Sequence, residues 1–95
     1  MPIYRLEPVE SLKHHDDWRL SGLGPMSVWL HAHDKDDARR KMQLATITTV
    51  EGYEEGQLVP DSPWLNSAVV SCDRDDSHKV PKGSALLGNG STIDL

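Results

Sequence analysis

The chain has 95 residues, of which 37% are hydrophobic and 26% charged, and it carries a net charge of −5. This length fits one domain with a core that needs no metal or disulfide, and the composition excludes wholesale disorder. The acid excess disfavours a surface that neutralises nucleic-acid phosphates, which requires clustered Lys and Arg.

A single cysteine, Cys72, rules out an internal disulfide and with it a secreted disulfide scaffold. The opening Met-Pro-Ile-Tyr-Arg-Leu-Glu has no apolar run, so no signal peptide is expected. Nowhere do about 18 apolar residues run together, as a membrane-spanning helix would need. The expected location is cytoplasmic. Phe is absent, so three Trp and two Tyr join Leu and Val in the core.

Residues 3–9 read as a first strand, with Ile3, Arg5, Glu7 and Val9 on one face and Tyr4 and Leu6 on the other. Pro8 either ends this strand or marks it as an edge, because proline cannot donate to a ladder. Residues 10–25 are polar and rich in turn formers and read as a loop, with a short helical turn around 11–17. Trp18 is its expected anchor.

Residues 26–33 alternate as a second strand, placing Met26, Val28, Leu30 and Ala32 on an apolar face. Trp29, His31 and His33 take the other face. Asp34 follows at once as a helix N-cap, with Asp37 three residues on as an acidic capping-box partner. Asp36 and Asp37 complement the helix dipole and precede Arg40 and Lys41 by four residues. Ala38, Met42 and Ala45 form the apolar stripe expected to rest on Val28, Leu30 and Ala32. The helix should end near Thr48, before Gly52.

Residues 51–63 read as a loop docked by Trp64. Ser67–Cys72 is the third predicted strand, and Asp73–Lys79 is a polar run after it. Near the end, Gly88-Asn89-Gly90 separates short apolar runs, which predicts a hairpin of residues 84–87 with 91–94. The competing reading of residues 77–95 is a flexible tail. The fold class is therefore α+β in a single domain spanning 1–95. It is a small, mostly antiparallel sheet in β-β-α-β order, plus the C-terminal hairpin, with one main helix packed on one face.

Two imidazoles on one strand face, His31 and His33, have the spacing to share a transition metal, with His14, His15, Asp34 or Cys72 completing the set. A structural zinc site requires four ligands in a recognisable pattern, and none is present here. The alternative is that both histidines are half-exposed polar residues. No cofactor is expected. Trp29 lies on the same face, and Arg5 joins it if the first two strands pair in register. Trp and Arg are enriched where partners anchor. The alternatives for that face are a satellite core under the 10–25 loop, with Trp18 nearby, or a dimer interface completing an open sheet.

Cys72 precedes Asp73, Asp75 and Asp76, a poor setting for a reactive thiolate. Asp73-Arg74-Asp75-Asp76 lacks the glycine and distal glutamate of a calcium loop, so a solvated turn suffices. No phosphate loop, nucleophile elbow or Ser/His/Asp order is readable. An enzyme is not expected.

Tyr4-Arg5-Leu6-Glu7-Pro8, Trp18-Arg19-Leu20-Ser21, and Val28-Trp29-Leu30-His31-Ala32 leading to Ala38-Arg39 resemble a group of small uncharacterised bacterial proteins. In that group a YRL-P strand is followed by W--S and a V-V-A----AR strand–helix unit. Pro63-Trp64 and Val70-Ser71-Cys72 resemble its later segment. The resemblance implies a shared fold and carries no activity. The element order is also similar to antitoxin domains of the HicB kind and, more distantly, to double-stranded-RNA-binding folds.

The expectation that follows is a non-enzymatic cytoplasmic protein-interaction module. It would self-associate, most simply as a homodimer, or capture a protein partner through Arg5, Trp29, His31 and His33, with no membrane and no nucleic acid. A transition-metal-binding protein using His31 and His33 is the alternative. Weak nucleic-acid binding through Arg39-Arg40-Lys41, or an antitoxin-type role, comes third.

Overall fold

In a computed structural model the described residues are 1–12, 18, 24–47 and 62–95. They form strands β1 (Ile3–Pro8), β2 (Val28–His31), β3 (Val70–Arg74), β4 (Ser84–Leu87) and β5 (Thr92–Asp94), with helix α1 (Lys35–Thr46) between β2 and β3. The strands make one sheet in the order β3-β1-β2-β4-β5, and every neighbouring pair is antiparallel. With α1 packed on one face, this is the expected α+β architecture. No described helix is long and apolar enough to cross a membrane.

Strand β1 lies inside the sheet, paired with β2 on one side and β3 on the other, so Pro8 does not mark an edge. It ends the strand instead. The Val9 amide donates to the Val69 carbonyl at 2.8 Å. By antiparallel alternation the Pro8 nitrogen then points toward β2. That strand begins only at Val28, opposite Leu6, so the donor that proline lacks has no ladder partner to disappoint.

The junction of β2 and α1 follows from its sequence. The Ala32 amide donates to the Pro2 carbonyl at 3.1 Å, and the pairing stops there. Asp34 adopts extended geometry and its carboxylate accepts from the Asp37 amide at 2.7 Å. Asp37 reaches back to accept from the His33 amide at 2.9 Å, so two helix-start donors are satisfied reciprocally. His33 thus belongs to the cap, exposed and beyond the end of β2, and not to the strand face that simple alternation assigns it.

Helix α1 packs on β1, β3 and the short 3-10 turn Pro63–Leu65. Its buried face is Ala38, Met42, Gln43 and Thr46, whereas Ala45 is only partly covered. Thr46 fits there because its hydroxyl donates to the Met42 carbonyl at 2.9 Å. Below the helix, Leu6, Val28, Leu30, Val70, Cys72, Ala85 and Leu87 form the core side of the sheet. Trp64 is fully buried, and Trp18 meets it edge-on with ring centroids 5.5 Å apart. Both tryptophans lie in the core on the helix side, so Trp18 does not cover Trp29.

Strand β3 begins three residues later than the predicted Ser67 start. Asn66 is the cause. Its side-chain oxygen accepts from the Ala68 amide at 2.9 Å, and its carbonyl accepts from Val69 and Val70. This local turn wins over the strand preference of the apolar residues that follow. The terminal hairpin forms as predicted, with Ala85 opposite Ile93. Gly90 closes it at φ 89°, a left-handed value that glycine adopts without strain.

Of the sequence expectations, the helix end near Thr48 with Gly52, most of the 10–25 loop, and the 51–63 loop up to Asp61 lie outside the described residues. Within the former loop, Glu10–Leu12 is a 3-10 turn.

Candidate functional site

Antiparallel pairing sets Arg5 directly opposite Trp29, and both point away from α1. Asp73 of β3 flanks Arg5, and Leu86 of β4 flanks Trp29 in the same row. The next row sets Ile3 opposite His31. Arg5, Trp29 and His31 are thus neighbours on the sheet face opposite the helix, as the sequence suggested. His33 is not among them.

That face is not bare. Strand β3 lies at one edge, and β4 lies beyond β1 and β2, so the chain between them must pass both strands. It does so across the Trp29 face. Asp75 extends the ladder by one bond, its amide donating to the Ile3 carbonyl at 2.8 Å. Its carboxylate Oδ2 then accepts from the Trp29 indole Nε1 at 3.2 Å and from Arg5 Nη1 at 3.3 Å. Oδ1 accepts from the Ser77 amide at 3.0 Å and the Ser77 hydroxyl at 2.5 Å. Four donors converge on one carboxylate, which is held down to about 2, chiefly by Ser77, then by Trp29 and Arg5.

Downstream, the His78 ring stacks on Trp29 with centroids 4.2 Å apart and a 31° tilt. His78 Nδ1 lies 3.0 Å from the Ser77 hydroxyl. With its single proton given to Asp75, that hydroxyl accepts from His78. The order differs from a nucleophilic serine triad, in which the imidazole stands between serine and carboxylate. Val80 then drops into the protein, and its carbonyl accepts from His31 Nε2 at 2.8 Å. The other His31 nitrogen lies 3.4 Å from the Met1 carbonyl.

Asp76 makes a second tether, accepting from the Ile3 amide and from Arg74 Nε, each at 3.0 Å. The Ile3 bond leads in holding its carboxyl below the ordinary value. One polar atom of the site is left over. Arg5 Nε is buried without a hydrogen-bond acceptor, although Glu7 Oε2 stands 3.3 Å away as an ion pair.

The other candidates are placed as follows. Cys72 is buried on the core side, its thiol pushed up first by burial, with Sγ 3.9 Å from the Lys35 carbonyl. Of the basic run, Arg39 donates to the Trp64 carbonyl and Lys41 pairs with Asp37 at 3.3 Å, while Arg40 is exposed. The run is therefore divided among different surroundings. Among the described residues, no group of three or more His, Cys, Asp or Glu is placed to hold a metal ion.

From the sequence alone Asp75 falls in a solvated turn and Ser77 and His78 in the polar run 73–79, with no link from any of them to Trp29. Their role depends on the sheet order, which sends the β3–β4 connection past β1 and β2. The available clue was the density of side chains able to bond locally in Asp75-Asp76-Ser77-His78.

No known family, curated protein or solved structure matches this chain.

Proposed function

We propose that this chain is a non-enzymatic interaction module of the cytoplasm that self-associates as a homodimer through the sheet face opposite α1, with Arg5, Trp29 and His31 as anchors. The carrying observation is that Trp29, half-buried on the sheet face away from α1, stands directly opposite Arg5. A tryptophan beside an arginine is the kind of pair on which binding energy concentrates.

The charges of the face suit pairing with its own copy. Arg5 lies between Glu7 and Asp73, whose side chains are 47% and 60% exposed. In a two-fold arrangement the Arg5 of one copy meets the acids of the other, and the reverse contact comes with it. His33 stands outside this cluster and has no part in the reading.

Sedimentation equilibrium over a range of protein concentrations tests it. Trp29→Ala and His31→Asp should weaken association by about tenfold or more, the effect of losing an anchor residue. A wild-type chain that remains monomeric at every concentration defeats the reading.

A further inference from the structure

We infer that the Asp75–Val80 segment is a releasable strap that covers the Trp29 face and thereby restrains self-association. The inference rests on the reading of that face as the interface, and it adds the regulation of the same site. The strap touches each anchor. Asp75 binds Trp29 and Arg5, His78 lies on the Trp29 ring, and the Val80 carbonyl takes the His31 imidazole. A second copy seated on these side chains would compete for the groups that the strap now occupies.

The way the strap is held makes it releasable. Asp76, Ser77, His78 and Lys79 are exposed, and no apolar side chain is buried between Asp75 and Val80. Its attachments are hydrogen bonds, two ion pairs and one ring stack, the kind of segment that opens without unfolding the core. Both ends are fixed, by β3 on one side and by buried Val80 on the other, so residues 75–79 can lift from Arg5 and Trp29 while staying tethered. When Asp75 withdraws, Arg5 gives up its 3.3 Å carboxylate partner and becomes available to Glu7 and Asp73 of a second copy.

The test uses the full chain, in which Trp18 is 7% and Trp64 0% exposed, so acrylamide quenching of tryptophan fluorescence reports mainly Trp29. Wild type, His78→Ala and Asp75→Ala are compared by quenching at monomeric concentration and by sedimentation equilibrium. His78 is exposed, so its substitution leaves the core untouched. Both variants should raise the quenching constant, by about twofold, and lower the dimer dissociation constant by about tenfold or more, as expected when a cover holds most of the population closed. Quenching that stays at the wild-type level in both variants overturns the strap. So does increased quenching with an unmoved dissociation constant when Trp29→Ala does weaken association. Failure of the interface reading is separate, because it appears as equal association of wild type and Trp29→Ala while quenching still reports the strap.

Discussion

The indole nitrogen of Trp29 and the carboxylate of Asp75 meet at 3.2 Å although 46 residues separate them in the chain. This bond joins the second strand to the connection that leaves the third. It also settles how the face opposite the helix is organised, since Arg5 shares the same carboxylate oxygen.

Acid should loosen this arrangement at a defined place. The Asp75 carboxyl is lowered from 3.8 to about 2, and those of Asp76 and Asp37 are lowered as well. A depressed carboxyl contributes stability that is fully present above its unfolded value and is lost as pH falls through the folded one. Their contribution should therefore be complete above about pH 5 and be lost between about pH 4 and pH 2. Urea midpoints measured across that range should show the decline, and Asp75→Asn should make it shallower.

The helix start can be tested at Asp34. Asp34→Ala removes the acceptor for the Asp37 amide and should cost about 0.5–2 kcal/mol. Urea denaturation would register this as a lower midpoint with an unchanged slope.

Leu30 is fully buried at the centre of the sheet, opposite Tyr4 on β1 and Ala85 on β4. Leu30→Ala should cost about 2–5 kcal/mol, from lost transfer energy and the cavity left behind. The same denaturation experiment measures it.

Cys72 should resist a water-soluble thiol reagent in the native state, because the thiol is buried and its proton is held more tightly than usual. Its labelling rate should rise steeply across the urea transition. Rapid labelling without denaturant would contradict the burial.

Zinc or nickel added to metal-stripped protein should leave the melting temperature unmoved. Both His31 nitrogens already face backbone carbonyls, and His33 lies beyond the strand. A ligand that binds only the native state must raise the melting temperature, so a clear rise would point to a metal site.

Local patterns carried the sequence reading where a side chain acts on its near neighbours. Alternation in Val28–His31, the Asp34 and Asp37 cap, and the Gly88-Asn89-Gly90 turn each state their structure within a few residues. The pairing of Arg5 with Trp29 was legible because β1 and β2 align by their apolar faces. Sheet order was not, since nothing local says that β3 returns beside β1 and leaves β4 to join β2. For the same reason the contacts of Asp75 and His78 with Trp29 are not legible in the sequence. Alternation misplaces His33 because the cap takes over beyond His31.

The position of β1 has a kinetic side. Ile3–Pro8 lies between β2 and β3, yet it precedes both in the chain. During synthesis it gains one neighbour early, but its other edge stays open until Val70–Arg74 has been made. For that interval the Leu6 strand presents unpaired amides and carbonyls to whatever else is nearby. Pro8 and the charges of Arg5 and Glu7 make it a poor template for stray strands while it waits.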